Sequence, residues 1–404
     1  MATSSSPVRA TLLPGAGMPK LMVTLFSVAA GLAVANIYYV QPLLTAIAEE
    51  FHSGSGQTSL IVTVTTAGYA AGLVLVVPLA DIVDRRKLIV TLLSIVAVIQ
   101  AVSAAAPSIA VLTVVSGLVA ASAVVAPIMV AFAATLAAPA ERGGVTGRVM
   151  SGVLVGVLLA RTGGGLVAQW AGSWRAVYVV AAVLMVVLAL LLHRKLPTVP
   201  VGARLGYGGL LRSVVAIVRE EPLLRLRCLY GFLTFAGFSA FWATTAFLLA
   251  GPPYHYGEAV IGLFGLLGAV GAYAARVAGK FVDRGWERWS TGALLLAVLL
   301  AWGLMAIDGG GALIPLMAGV VVLDLGVQGV QVANLSTIYA RRPEARSRIT
   351  MAYTGTYFLG GAVGSAVSGA AYARAGWLAV CAAGAVFAVL ALVIWAMHTL
   401  CRAR

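Results

Sequence analysis

One acidic residue lies in a long apolar stretch of this chain. Asp324 follows the run AGVVVL, and Gln328 and Gln331 come four and seven residues later. That spacing places the three polar side chains on one face of a helix. A carboxyl group in apolar surroundings is costly to bury, and it commonly carries protons or contacts a cationic ligand. We interpret Asp324 as a proton-coupling residue; the alternative is an acid that is hydrogen-bonded to a neighbouring helix for packing.

A basic residue stands in a second apolar stretch. Arg161 belongs to the segment GVLVGVLLART. Its guanidinium group can pair with a polar group, with a substrate or with backbone carbonyl oxygens. We assign Arg161 to proton coupling together with Asp324, and the sequence leaves its partner open.

Polar and aromatic side chains elsewhere are candidates for contact with a substrate. In the segment NIYYVQPLL, Asn36 and Tyr39 share a helical face, whereas Tyr38 and Gln41 point elsewhere. Trp242 stands beside two threonines and combines an apolar ring with a hydrogen-bond donor. The predicted contact residues are Asn36, Tyr39, Trp242, Gln328 and Gln331.

Two short segments with similar sequences are rich in charge. VPLADIVDRRK, at 77–87, contains Asp81, Arg85 and Arg86, and AGKFVDRGWER, at 278–288, contains Asp283 and Arg284. Asp81 and Asp283 are 202 residues apart, which is half of 404. The recurrence predicts two structural repeats with the same orientation, and substrates of such proteins bind between the repeats.

The composition indicates that the elements around these residues lie in a lipid bilayer. The chain is 61% hydrophobic with a mean hydropathy of +1.01, and 10% of its residues are charged. A soluble protein carries about 25% charged residues, so too few remain here to cover the core. Twelve stretches have the roughly 20 mostly apolar residues of a spanning helix. They are 21–48, 57–82, 87–106, 109–138, 143–170, 174–193, 222–250, 258–282, 289–307, 311–339, 346–373 and 376–400.

The predicted spans form two groups of six. We expect a tail at 1–20, a six-helix bundle at 21–193, a linker with a surface-lying amphipathic helix at 194–221, a second bundle at 222–400 and a tail at 401–404. Most of the 27 Lys and Arg residues lie on the side of both termini. An excess of Lys and Arg marks the cytoplasmic side, so both termini are predicted to be cytoplasmic in an inner membrane.

Several classes of protein are disfavoured by the same sequence. The net charge of +14 is a topology signal, since no basic, aromatic-rich soluble segment suited to nucleic acid is present. Cys228, Cys381 and Cys401 are scattered, and no HExxH or GxSxG motif occurs, so neither a metal, a cofactor nor an enzyme is expected. The expected partners are a small-molecule substrate, protons and the bilayer, and the expected state is a monomer.

The first charged segment resembles the signature of the major facilitator superfamily, G-x-L-A-D-R-x-G-R-R. The segments NIYYVQPLL, GVLVGVLLART and GVQGVQVANLSTIYARRPEARSR are similar to the bacterial efflux branch, which comprises drug:proton antiporters and arabinose-efflux-like permeases. The resemblance covers 21–400 and implies an all-α integral membrane fold of twelve helices. The residues that match the signature are Leu79, Ala80, Asp81, Arg85 and Arg86, and the second copy keeps Gly279, Asp283, Arg284 and Arg288.

The resemblance also implies roles for two sets of residues. The family geometry would put Asp81 beside the start of span eleven, where an acid meets unsatisfied N–H groups. Arg85 and Arg86 would pair across the cytoplasmic seam, or would simply anchor the topology. The implied conformational latch comprises Asp81, Arg85, Arg86, Asp283 and Arg284. The small residues predicted to form helix-packing faces are Gly152, Gly156, Gly361 and Gly364.

The leading functional hypothesis is a secondary transporter that exports a small organic molecule by alternating access, as a proton antiporter. No phosphate-binding GxxxxGK[ST] loop is present, so direct use of ATP is not expected. In the span-five glycine motif of such antiporters, G-x-x-x-G-P-x-x-G-G, Val157 replaces proline here, and Ala160 and Arg161 replace the last glycines. The alternatives are proton-coupled or passive uptake of a sugar or other metabolite, and a non-transporting membrane receptor.

Overall fold

The computed structural model describes residues 18–199, 206–269, 287–342 and 345–401, the side chains of 287, 288 and 401 excepted, and the regular elements in these ranges are all helical. We number the α-helices in chain order. They are α1 (Lys20–Ala35), α2 (Leu44–Glu50), α3 (Ser55–Leu75), α4 (Arg85–Ala104), α5 (Ile109–Ser122), α6 (Val125–Leu136), α7 (Arg142–Ala171), α8 (Arg175–Lys195), α9 (Tyr207–Glu220), α10 (Pro222–Ala250), α11 (Glu258–Leu263), α12 (Glu287–Met305), α13 (Leu313–Arg341) and α14 (Arg346–Cys401).

Eight helical stretches in the described residues are long and apolar enough to cross a bilayer, and three shorter apolar helices lie at Lys20–Ala35, Glu258–Leu267 and Trp289–Met305. One of the eight, α14, is two helices joined at a break, because Ala375 and Gly376 leave the helical conformation. Gly376 has φ +66°, which glycine adopts without a steric penalty. Counting the arms of α14 separately gives the twelve predicted segments.

The connections between helices define two faces of the molecule. We call the face with the connections at 82–84 and 137–141, where α8 ends and α9 lies, the basic face, and the other the opposite face. On the basic face, the Asp84 side chain accepts a hydrogen bond from the Lys87 amide at 2.9 Å and starts α4. On the opposite face, Glu50 pairs with Arg175 at 2.7 Å and ties α2 to the start of α8.

The linker helix α9 lies against the basic face. It buries Val214 and Ile217, and its Tyr207 hydroxyl donates to the Leu75 carbonyl oxygen at 2.7 Å. An apolar side turned toward the bundle and a polar side turned away is the pattern of a helix lying at a membrane surface. The linker is therefore fastened to the end of α3 in the first bundle.

Glycine allows two helix pairs to approach with their backbones nearly in contact. A Cβ atom at Gly152 or Gly156 of α7 would overlap the carbonyl oxygens of Ser27 and Gly31 in α1. In the second half, a Cβ atom at Gly364 of α14 would overlap the Ala236 carbonyl oxygen in α10. Gly361 is three residues earlier on the same helix, and a Cβ atom there would overlap the Phe235 ring. Small residues make such close helix crossings possible, and a glycine-mediated crossing occurs in both halves.

Candidate functional site

The first membrane helix ends well before its apolar stretch does. α1 stops at Ala35, and the Asn36 side chain donates to the carbonyl oxygens of Leu32 and Ala33 at 2.9 and 3.0 Å. A turn follows, and then a short 3₁₀ helix at Gln41–Leu43 contains Pro42, which has no amide hydrogen for a continuing α-helix. Residues on the two sides of this break do not share one helical face.

The break directs two side chains toward Arg161 of α7, in the middle of the molecule. Arg161 is 3% exposed. Its Nε donates to Gln41 Oε1 at 2.6 Å, and its guanidinium carbon lies 4.7 Å from the Tyr38 ring centre. The other half contributes Trp242 of α10, whose ring centre is 4.0 Å from the same carbon. A cation between two aromatic faces is stabilised by the negative potential of each ring.

Asp324 of α13 lies beside this arginine and is 4% exposed. Arg161 and Asp324 interact electrostatically, yet no salt bridge within 4.0 Å joins them in the described residues. Tyr357 of α14 is within electrostatic range of Asp324 and of Tyr38. We call these six residues the central polar cluster: Tyr38, Gln41 and Arg161 from the first half, and Trp242, Asp324 and Tyr357 from the second.

Three buried atoms of the cluster lack hydrogen-bond partners in the described residues: Trp242 Nε1 and one atom of each charged group. Among the described residues, neither Arg161 Nη2 nor Asp324 Oδ2 makes a hydrogen bond, although both atoms are buried. An unsatisfied buried polar group costs about 1–3 kcal/mol, and more when it is charged. A donor and an acceptor of opposite charge are therefore available to a proton, a ligand or each other.

A glycine face on the eighth span makes room for both charged residues. A Cβ atom at Gly265 would lie 2.9 Å from Arg161 Cβ, and one at Gly268 would lie 3.4 Å from Asp324 Oδ2. Gly262, three residues earlier, would direct its Cβ at the Arg161 carbonyl oxygen at 2.5 Å. Residues three apart share a helical face, and side chains at Gly262 and Gly265 would overlap Arg161, whereas one at Gly268 would be in ordinary van der Waals contact with Asp324.

The structure distributes the predicted contact residues unevenly. Trp242 is in the central polar cluster, whereas Asn36 lies inside the first bundle and accepts a hydrogen bond from Gln100 Nε2 at 2.8 Å. Tyr39 lines an apolar groove between α1, α7 and α8. Gln328 and Gln331 are half-buried on α13, without a hydrogen bond to the cluster in the described residues.

Tyr38 and Gln41, which the helical pattern turned away from the site, are the residues of this segment that contact Arg161. The prediction assumed one continuous helix from Asn36 to Gln41. The structure corrects this assumption, because α1 ends at Ala35. Pro42 was the signal in the sequence, since proline lacks an amide hydrogen and its ring would clash with the carbonyl oxygen of Tyr38 in a continuous α-helix.

The residues of the predicted latch contact their own half in this structure. Asp81 is half-exposed and pairs with Arg85 at 3.3 Å. Arg85 also donates to Thr135 at 2.7 Å, and Arg86 donates to the His193 carbonyl oxygen. The predicted pairing of Arg85 and Arg86 across the seam between the halves is thus not observed. Asp283 and Arg284 lie outside the described residues.

The two halves are joined by hydrogen bonds on the side of the opposite face. Thr162 donates to the Gly262 carbonyl oxygen at 3.2 Å, and the Ala259 amide donates to Gln169 Oε1 at 3.3 Å. A Cβ atom at Gly165 would overlap the Glu258 carbonyl oxygen. The helices α7 and α11 therefore seal the molecule between the central polar cluster and the opposite face.

Comparison with known proteins gives the family. The family model described as Major Facilitator Superfamily matches residues 26–365. The chain belongs to the major facilitator superfamily. It is 46% identical over 382 residues to the uncharacterized transporter YgaY of Escherichia coli O157:H7, covering 95% of this chain and 96% of the relative. Over 386 residues it is 36% identical to Probable transporter SCO4007 of Streptomyces coelicolor, covering 93% of this chain and 87% of that one.

A solved structure supports the same architecture for this superfamily member. A bacterial homolog to the human lysosomal transporter Spinster, in an inward-facing and occupied conformation, superposes with a TM-score of 0.76 and 16% identity. The match covers 94% of this chain and 96% of that chain. The predicted all-α fold of twelve membrane helices is confirmed, and the chain is an integral membrane transporter of the superfamily type.

Proposed function

We propose that this superfamily member exports a small organic molecule from the cytoplasm as a proton antiporter, with Asp324 as the proton carrier. The observation that supports the proposal is the pair of unpartnered, oppositely charged groups, Arg161 Nη2 and Asp324 Oδ2, contributed by different halves of the molecule. Acids inside membrane segments are commonly the sites of proton relays.

The mechanism rests on competition for the two charged groups. When Asp324 is deprotonated, its carboxylate can attract Arg161 or a cationic part of a substrate. When Asp324 is protonated, that attraction is lost, and among the described residues the Arg161 guanidinium keeps Gln41, the Val157 carbonyl oxygen and the two aromatic rings. A proton and a substrate that compete in this way each weaken the binding of the other by the same free energy.

Alternating access then converts competition into exchange. Because Arg161 and Asp324 belong to different halves, any change in their attraction alters how the halves pack against each other. Rocking of the halves would expose the site first to one side of the membrane and then to the other. One proton would return for each substrate that leaves.

The test uses vesicles that contain the purified protein and the pH dye pyranine. A panel of organic cations and anions is added, and the compound that causes the largest change in lumenal pH is prepared in radiolabelled form. An antiporter accumulates this compound when the lumen is acidic, because protons leave as the compound enters. Accumulation only with an alkaline lumen would instead indicate proton-coupled uptake, and mere equilibration would indicate passive uptake.

Variants at Asp324 separate coupling from binding. We expect Asp324→Asn to abolish pH-driven accumulation and to retain exchange of labelled for unlabelled compound, because asparagine keeps the size and much of the hydrogen bonding. Asp324→Ala should damage both activities. Asp308→Asn, which changes an acid in the connection between α12 and α13, is the control and should behave like the wild type. Full accumulation by Asp324→Asn would exclude this residue from coupling.

The location and state of the protein are part of the proposal. The positive-inside rule supports an inner-membrane protein with a cytoplasmic basic face. The central polar cluster is complete within one chain, which is consistent with a monomeric transporter.

A further inference from the structure

A long apolar groove runs along the outside of the first six-helix bundle, between α1, α7 and α8. Its volume is about 510 Å³. Large apolar side chains form its rim, and Val28, Val155 and Leu159 are each more than half exposed. Its floor is formed by small residues, among them Gly156 and Gly163. The described residues that line the groove all belong to the first bundle, and none of them belongs to the central polar cluster.

The length of the groove along the helices is close to the thickness of the hydrocarbon layer of a bilayer. Its lining on α7 extends from Ser151 to Val167, a rise of about 24 Å at roughly 1.5 Å per residue. The hydrocarbon core of a bilayer is about 30 Å thick. A surface at this depth with almost entirely apolar walls faces acyl chains, so an apolar chain from the bilayer is the occupant that its chemistry fits.

Two basic side chains lie at the basic-face end of the groove. Arg148 is one helical turn before Gly152 on α7, and its carbonyl oxygen accepts a hydrogen bond from Ser27. Lys20 is two turns before Ser27 on α1 and therefore lies on the same face of that helix. Both side chains are exposed, and neither has an ion-pair partner among the described residues. Long basic side chains reach from such positions to the membrane surface.

We propose that this groove holds an acyl chain of an anionic phospholipid from the surrounding bilayer, whose phosphate group contacts Arg148 and Lys20. The apolar walls account for the chain, and the two cations account for the charge of the headgroup. Tyr39 lines the groove and is nine-tenths buried, and its hydroxyl has no hydrogen-bond partner in the described part of the structure, so a lipid can also supply that partner. The site does not depend on the proposed direction or coupling of transport.

Gly163→Leu tests the acyl-chain part of the site. Gly163 lines the groove, and a Cβ atom there meets no other atom within 4 Å, so leucine fills the groove without displacing the protein. Gly303→Leu is the matched control, because Gly303 on α12 is exposed and equally free of contacts but lies outside the groove. Full-length protein in detergent is incubated with dioleoyl phosphatidylglycerol or dioleoyl phosphatidylcholine and washed, and the retained lipid is measured by native mass spectrometry.

We expect Gly163→Leu to retain both lipids about tenfold more weakly than the wild type, the equivalent of losing about two buried methylene contacts. Gly303→Leu should match the wild type. Thermal denaturation checks that both proteins are folded. Equal lipid retention by folded Gly163→Leu and the wild type would overturn the proposal. So would dimers in the wild-type spectrum that disappear in Gly163→Leu, since a second copy of the chain would then fill the groove.

Arg148→Gln tests the headgroup part. We expect the wild type to prefer phosphatidylglycerol over phosphatidylcholine about threefold to fivefold, and Arg148→Gln to reduce most of this preference while still retaining the neutral lipid. Arg225→Gln is the control: Arg225 is exposed at the basic-face start of α10, in the second half, and does not line the groove. An equal loss of preference in the two variants would show a general charge effect, and the headgroup contact would be rejected.

Discussion

At the scale of single residues, the central polar cluster is organised around the shape of one guanidinium group. Arg161 is planar, so it can lie against Trp242 and Tyr38 while its Nε donates to Gln41 at 2.6 Å. A lysine ammonium is compact and more strongly hydrated, and it cannot make these contacts together. The positive charge alone is therefore not sufficient for this position.

Arg161→Lys should consequently reduce transport although it keeps the charge. We expect a loss of about tenfold in the rate of pH-driven accumulation, corresponding to the loss of about 1–2 kcal/mol of cation–aromatic and hydrogen-bond interaction. The measurement is the initial rate in pyranine vesicles, normalised to the amount of folded protein.

Arg175→Lys is the control for this substitution. Arg175 also lies over an aromatic ring, Trp174, at 4.5 Å, and pairs with Glu50 at 2.7 Å, but at the opposite face. We expect it to lower thermal stability without changing coupling. Normal transport by Arg161→Lys would mean that only the charge matters, and it would remove the stacked geometry from the mechanism.

At the scale of elements, the seal at the opposite face depends on backbone contact between α7 and α11. A Cβ atom at Gly165 would overlap the Glu258 carbonyl oxygen, whereas one at Gly163, on the same helix, meets nothing within 4 Å. Forcing an extra methyl group into a close-packed contact commonly costs about 1–3 kcal/mol. That cost applies only to the conformation in which the two helices touch.

Gly165→Ala should therefore shift the population away from the conformation described here. The assay crosslinks Gln169→Cys to Gly257→Cys with a short bifunctional thiol reagent, in protein whose native cysteines are replaced by alanine. These two residues face each other, since a Cβ atom at Gly257 would lie 3.6 Å from Gln169 Oε1. We expect crosslinking to fall about fivefold or more in Gly165→Ala and to be unchanged in Gly163→Ala. Equal yields in both would contradict a role for the backbone contact.

Elements also show what the sequence could and could not predict. The spans were predictable, because runs of about 20 apolar residues follow from the thickness of the bilayer alone. Charged side chains inside the spans were predictable as well, since Arg161 and Asp324 stand out in apolar runs. The orientation of Tyr38 and Gln41 was not, because it depends on where α1 ends and not on a helical period. Nor does the spacing of Gly262 and Gly265 reveal that Arg161 packs against them, since that contact joins residues about 100 positions apart.

At the scale of the whole molecule, the structure is sealed at the opposite face, and Asp81 at the basic face makes no hydrogen bond or ion pair with the second half among the described residues. Asp81 is half-exposed and contacts Arg85, four residues along the same segment. An exposed pair of this kind contributes little stability, typically less than 1 kcal/mol. The predicted role of Asp81 as a latch concerns the other conformation, in which the basic face would be closed and the acid would meet the start of α14.

Asp81→Asn should then favour the conformation described here, because it removes a contact that exists only in the competing one. A ligand or residue shifts an equilibrium by the difference of its interactions with the two states, and an acid at a helix N-terminus contributes about 1 kcal/mol. We expect crosslinking of Gln169→Cys to Gly257→Cys to rise about fivefold in Asp81→Asn.

Asp84→Asn is the matched control. This substitution removes a negative charge from the same connection, but the Asp84 side chain only starts α4, by accepting a hydrogen bond from the Lys87 amide. Crosslinking should therefore be unchanged in Asp84→Asn. If instead the pair with Arg85 were the whole role of Asp81, the substitution would weaken the present conformation, and crosslinking would stay constant or fall. A rise in Asp81→Asn alone therefore distinguishes a latch between the halves from a local ion pair.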